Sequence, residues 1–221
     1  MENKGPNIPL TRAKPSTFDE SSLETFEGNL EQKINSLVLW INERVKRKQW
    51  SNEEIAEKFV KRNAEQILAD GDTGFMNPCS DLTLVALALL KKNGFKSTLV
   101  VEKLKQKKYD FVGMHFVLEF LEKDVLYFLE FVEKNHVLLK KGGYTHQKEG
   151  IETLRIQRIT NDVRLDQNIQ SILEEAQFDI SDFRLEDLIA QLQKDNSPQT
   201  YTGYVSKLAH DGNLYLDSQI T

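Results

Sequence analysis

Two residue types in this 221-residue chain stand out for nucleophilic chemistry, its single cysteine, Cys79, and one of its four histidines, His115. A thiolate attacks a carbonyl carbon readily, and an imidazole beside it takes or holds the proton. Cys79 follows Asn77, a good helix N-cap, and Pro78, which suits the first helical position, so it falls in the first turn of a helix. The positive end of the helix dipole and the unpaired N–H groups of that turn favour thiolate over thiol. Asp81 opposes this electrostatically, and a cysteine packed inertly at the base of a core helix is the competing reading.

His115 lies in an apolar stretch whose two faces separate by parity. Val112, Met114, Phe116, Leu118 and Phe120 form a wholly apolar face, which belongs in the core, while His115 shares the other with Phe111, Gly113, Val117 and Glu119. A hairpin centred on Glu122-Lys123 sets His115 directly opposite Glu130 on the next strand. Opposed side chains have Cβ atoms about 4.5 to 5.5 Å apart, within reach for a carboxylate and an imidazole. Glu130 stands between Phe128 and Val132, where an unpaired carboxylate would be costly, so a histidine partner accounts for its presence. The carboxylate would fix the imidazole tautomer and stabilise its protonated form.

From Asn77 to Glu130 the sequence resembles the transglutaminase-like superfamily, whose core is similar to that of papain-like proteases. The resemblance is carried by Cys79-Ser80-Asp81, the apolar helix to Leu90, Asn93-Gly94-Phe95, Val100-Val101, His115-Phe116-Val117-Leu118-Glu119 and Tyr127-Phe128-Leu129-Glu130. The chain differs in having Glu130 where the family usually has Asp, Asn77-Pro78 in place of a Gly-containing pair, and Val117 where a Trp is usual. The resemblance implies that the helix terminus reaches His115, giving a triad of Cys79 as nucleophile, His115 as base and Glu130 as orienting acid. It also implies an acyl-cysteine intermediate on an amide or peptide bond, with hydrolysis favoured over cross-linking. The oxyanion of such a reaction needs the backbone N–H of Cys79 and one further donor, for which Asn77, Trp50 and Tyr109 are candidates.

The elements that must position these residues give an α+β fold, a central helix on an antiparallel sheet with further helices at both ends. Residues 79 to 90 leave almost no polar face and mark a helix at the centre of a domain, stopped by Asn93-Gly94. Strands are predicted over 95 to 104, 111 to 121 and 124 to 133, and a further strand pair over 136 to 140 and 152 to 159 around Gly142-Gly143. Before the cysteine, one amphipathic helix is predicted over 28 to 48. A second starts at a capping box of Ser51 and Glu54, buries Ile55, Phe59 and Ile67, and ends at Asp70-Gly71-Asp72. Beyond Asn161 helices are expected near 166 to 177 and 184 to 194, followed by a polar end. The organisation is thus a loosely docked lead-in over 1 to 26, a core over 27 to 160 and a helical extension over 161 to 221.

Composition bounds the rest. With 39% hydrophobic and 29% charged residues and a net charge of -5, the chain has the balance of a globular protein and no overall electrostatic footprint for nucleic acid or an anionic membrane. Its first 22 residues lack an apolar run, and no window has the roughly 18 uncharged apolar residues of a membrane span, so a cytoplasmic location is expected. One cysteine excludes Cys-pair zinc motifs and internal disulfides, and His136, His146 and His210 have no partner spacing, so neither a metal nor another cofactor is expected. The partner expected is a protein or peptide substrate. Three functions stay open: a hydrolytic acyl-cysteine enzyme, an acyltransferase using a thioester donor, and a binding module that keeps the fold without turnover.

Overall fold

The computed structural model describes residues 20–74, 79–106, 111–131, 136–145, 151–160, 163–187 and 214–217. A 3-10 turn, Glu20–Ser22, precedes the α-helices α1 (Leu30–Arg44), α2 (Asn52–Lys58), α3 (Ala64–Asp70), α4 (Cys79–Lys92) and α5 (Ile169–Glu175). The strands are β1 (Lys46–Lys48), β2 (Asp72–Gly74), β3 (Lys96–Gln106), β4 (Phe111–Glu122), β5 (Val125–Phe131), β6 (His136–Lys141), β7 (Ile151–Ile159) and β8 (Leu214–Asp217). β1 and β2 form a small parallel pair, and the other six form one antiparallel sheet in the order β7-β3-β4-β5-β6-β8. The fold is α+β, as the periodicities predict.

α4 packs on one face of this sheet because its sequence leaves it no side to expose: every residue from Cys79 to Leu90 is buried. The facing strand residues alternate as the pleat demands, Leu99 and Val101 on β3, Met114, Phe116, Leu118 and Phe120 on β4, Leu129 and Phe131 on β5. α1 adds Ile34, Leu37, Val38 and Ile41 to this core, and the α5 segment adds Ile169, Ile172, Leu173 and Phe178. A fully buried Leu or Ile contributes about 1.5 to 3 kcal/mol relative to exposure, so this one cluster is the main source of cohesion. The opposite face carries a smaller apolar group, Val100, Val117, Phe128, Leu138 and Tyr144, among which the charged residues of the site lie.

Several boundaries depart from the sequence reading. The helix predicted over 28 to 48 begins after its N-cap Asn29 and stops at Arg44, and Lys46–Lys48 leave it to pair with Asp72–Gly74. The predicted second helix is two, because Val60 takes a left-handed conformation (φ 55°) and Asn63 caps a fresh start with Gln66. Two capping boxes in one apolar stripe, Ser51 with Glu54 and Asn63 with Gln66, mark two helices. The predicted pair of 136 to 140 with 152 to 159 does not form: β6 lies beside β5, whereas β7 crosses to the far edge beside β3. Leu214–Asp217, read as part of a polar end, is a strand paired with β6. Docking begins inside the supposed lead-in, since Leu23 is buried and the Asn93 side chain accepts from Phe26 N–H and donates to Glu24 O.

Candidate functional site

His115 and Glu130 are brought together, though not in the register expected. The β4–β5 turn is Lys123-Asp124, both residues left-handed (φ 49° and 64°), the backbone that a tight two-residue hairpin needs. Glu122 therefore pairs with Val125 and Leu118 with Leu129, and continuing that ladder puts Glu130 beside Val117. The turn sits one residue later than expected, which slides the partner strand by two and so leaves the faces unchanged. Glu130 becomes the diagonal neighbour of His115, at a Cα separation of about 7 to 8 Å rather than directly opposite. The longer Glu side chain spans that diagonal, and His115 Nε2 donates to Glu130 Oε1 at 2.8 Å.

Both groups are withdrawn from water, the Glu130 side chain 2% exposed and that of His115 11%. An ionised carboxylate accepts only, so with Glu130 ionised the bonded Nε2 carries a proton. Charge-assisted bonds of this kind are about twice as strong as neutral ones, which keeps the ring aligned.

Cys79 is the first described residue of α4 and is 8% exposed. Thr83, one turn on and on the same side of the helix, donates from Oγ1 to the Phe116 carbonyl at 3.3 Å. The cysteine-bearing side of α4 is thus the side applied to β4, beside the residue that follows His115. The His115 and Glu130 side chains, however, leave the sheet on the face away from the α4 core. β5 ends at Phe131, one residue after Glu130, while β4 and β3 run on together to Phe111 and Gln106. Among the described residues, His115 therefore lies just past the last β4 residues that have β5 beside them.

Asp81 is buried with Cys79, and its carboxylate accepts from Arg62 Nη2 at 2.5 Å and from Thr73 Oγ1 at 2.9 Å. Burial pushes its pKa above the ordinary carboxylate value, with Arg62 and Thr73 offsetting part of the shift. Burial works against the Arg62 cation too, but Asp81, Asp70 and Asp72 around it outweigh burial and hold its pKa above the ordinary value. Asp81 therefore faces Arg62 and acts as the tie between α4 and the α3–β2 segment.

Of the second-donor candidates, Asn77 and Tyr109 lie outside the described residues. Trp50 is buried with Ile55 and Phe59, its ring against Gly74 and under the Arg62 guanidinium, 4.9 Å from centroid to Cζ. Its Nε1 meets no acceptor among the described residues. Arg62 thus stands between the indole and the Asp81 carboxylate of the first turn of α4.

Sequence reasoning missed Glu102 and Tyr144, which flank His115, and Arg158, which with Glu119 anchors Tyr144. Glu102 is directly opposite His115 on β3, fully buried, and accepts from Tyr144 Oη at 2.8 Å and from Thr153 Oγ1 at 2.6 Å. Glu119 accepts two bonds from Arg158 and one from Tyr144 N–H, and Arg158 also donates to the Tyr144 carbonyl. A lone acid in the Val-rich run Val100-Val101-Glu102 was the available signal, the same one that exposed Glu130. Tyr144 had none, being fixed by contacts far away in sequence.

Among the described residues no group of three or more His, Cys, Asp or Glu side chains is arranged to hold a metal ion, and no helix is long and apolar enough to cross a membrane. Comparison with protein families, with curated proteins and with solved structures finds no match to this chain.

Proposed function

We propose that this chain is a transglutaminase-like cysteine enzyme that acts on an amide or peptide bond of a protein or peptide through an acyl-cysteine intermediate. The observation that carries the reading is the buried 2.8 Å bond from His115 Nε2 to Glu130 Oε1, made on the strand that α4 packs against. A carboxylate, an imidazole and a cysteine in the first turn of a buried helix form the constellation of nucleophile, base and orienting acid. The Cys79 thiolate attacks the carbonyl, the His115 imidazolium passes the former thiol proton to the leaving amine, and water then releases the acyl group and returns that proton. The backbone N–H of Cys79 is the proposed oxyanion donor.

A specific observation favours a second reading. His115 projects from the sheet face opposite the core into which Cys79 packs, so thiol and imidazole meet only around the end of the sheet. Should they not meet, the His115–Glu130 pair is a buried structural bond in a binding module. Incubation with a p-nitrophenyl acyl ester followed by intact-mass measurement separates the two. The enzyme reading expects a mass increase of one acyl group that is lost in Cys79→Ala and slowed at least about tenfold in His115→Gln, in the range of general-base contributions. No adduct, or one unaffected by either substitution, favours the binding module.

A further inference from the structure

We infer that Glu102 is a positioning residue for His115, the second carboxylate of a cradle that spans three strands and keeps the resting imidazole protonated. The inference rests on the reading of His115 as the base, and adds the protonation state in which that base waits.

Glu102, His115 and Glu130 lie in one row across β3, β4 and β5. The ladder sets Glu102 directly against His115, where opposed Cβ atoms are about 4.5 to 5.5 Å apart, while Glu130 reaches the ring from the other side along the diagonal. Glu102 is fully buried, yet each of its oxygens accepts a hydroxyl, Oε2 from Tyr144 and Oε1 from Thr153. Hydrogen bonds to a carboxylate favour its charged form and hold it in place.

The donors are themselves anchored. Tyr144 is clamped over the sheet by Glu119 on its N–H and Arg158 on its carbonyl, and its ring lies edge-on to Phe128, with centroids 5.5 Å apart. From there it passes over the row, its centroid 6.1 Å from that of His115, and ends on Glu102. Among the described residues, the groups facing the imidazole are Glu102 from β3, Glu130 from β5, Tyr144 from the strap after β6, and, farther along β4, Glu119. The charge of Glu119 is matched by Arg158 from β7 through two 2.8 Å bonds. Two carboxylates against one imidazole outweigh the burial that would otherwise drive the proton off. The consequence for chemistry is a resting imidazolium, the form that holds a thiolate as an ion pair rather than the form that must first abstract its proton.

The test is a histidine ring NMR titration in the Cys79→Ala background, with the His115 resonance assigned by its absence in His115→Gln. Because the thiol is gone, the outcome is independent of whether the chain turns over a substrate. The parent protein is expected to show a His115 midpoint above the ordinary value of about 6.5. E102Q should lower it by about one pH unit, a tenfold loss of proton affinity. E130Q leaves Glu102 as the carboxylate facing the ring, and should keep the midpoint within about one unit of the ordinary value. A parent midpoint at or below about 6.5 overturns the inference. So does an E102Q midpoint equal to the parent's, or, if E102Q does not fold, a fall to below about 5 in E130Q, the value burial alone would give.

Discussion

His115 Nε2 and Glu130 Oε1 are 2.8 Å apart on neighbouring strands that do not place the two residues opposite one another. The bond spans a cross-strand diagonal, so its length depends on the extra methylene that glutamate has over aspartate. Glu130→Asp therefore shortens the acid on a fixed backbone and is expected to break the direct bond. In the acyl-ester assay, Glu130→Asp should lose acylation rate nearly as fully as Glu130→Gln. An Asp variant with parental rate would show that the reach of the side chain is not what matters.

His115→Ala removes the imidazole from a buried carboxylate that stands beside Phe128 and Leu138. It is expected to cost about 3 to 5 kcal/mol in urea unfolding, the range for one half of a buried ion pair. A loss below about 1 kcal/mol would place the pair among weak surface bonds instead.

Arg62→Met removes the cation that faces Asp81, Asp70 and Asp72 and so loosens the α3–β2 tie to α4. Destabilisation of about 3 kcal/mol is expected at neutral pH. The pH dependence follows from Asp81, whose folded pKa is raised by burial above the unfolded value. A raised pKa favours the fold below the unfolded value, and that advantage is lost as pH rises through the folded value. Without Arg62 the folded value rises further, so the penalty should be largest at neutral pH and shrink on acidification towards the usual carboxylate range. A penalty that grows on acidification would contradict the assignment of Asp81.

Gly74→Ala places a Cβ 2.9 Å from Trp50 Cε3, on the segment that leads from β2 towards Cys79. The indole must move, at a cost of about 1 to 3 kcal/mol for overpacking. A shifted tryptophan emission together with a lower urea midpoint is the expected outcome. An unchanged spectrum would show that the ring does not press on Gly74.

Thr83→Val keeps the shape of the side chain and deletes the 3.3 Å bond to Phe116 O, leaving a buried carbonyl with one donor fewer. A loss of about 1 kcal/mol is expected, together with slower acylation, since this bond seats the turn of α4 next to Cys79. A stability loss with acylation untouched would separate the seating of α4 from the chemistry.

The local signals were legible wherever one element decided the outcome. The Ser51–Glu54 capping box, the all-apolar α4 and the left-handed Gly94 behind it all follow from local side-chain chemistry. Strand parity also held, which is why the predicted core face of β4 is the observed one and why Glu130 was found on the face of His115. What failed depended on turns and distant partners. The sequence Glu122-Lys123-Asp124 offers no glycine to fix the turn, and the centre moved by one residue. Neither β7 nor Tyr144 has a sequence neighbour that dictates its position, so the edge crossing and the strap over His115 were invisible. Asn63 was legible as a second cap but was absorbed into one long apolar stripe.

The central claim, that His115 activates Cys79, is tested most directly by the rate of iodoacetamide addition to the single thiol between pH 5 and 9, followed by intact mass in the parent protein and in His115→Gln. A paired thiol should react at pH 6 to 7 at least about tenfold faster in the parent than in the variant, and the rate should change little with pH across that interval. Rates that coincide in the two proteins and rise together with pH, as for a cysteine with no base beside it, would contradict it.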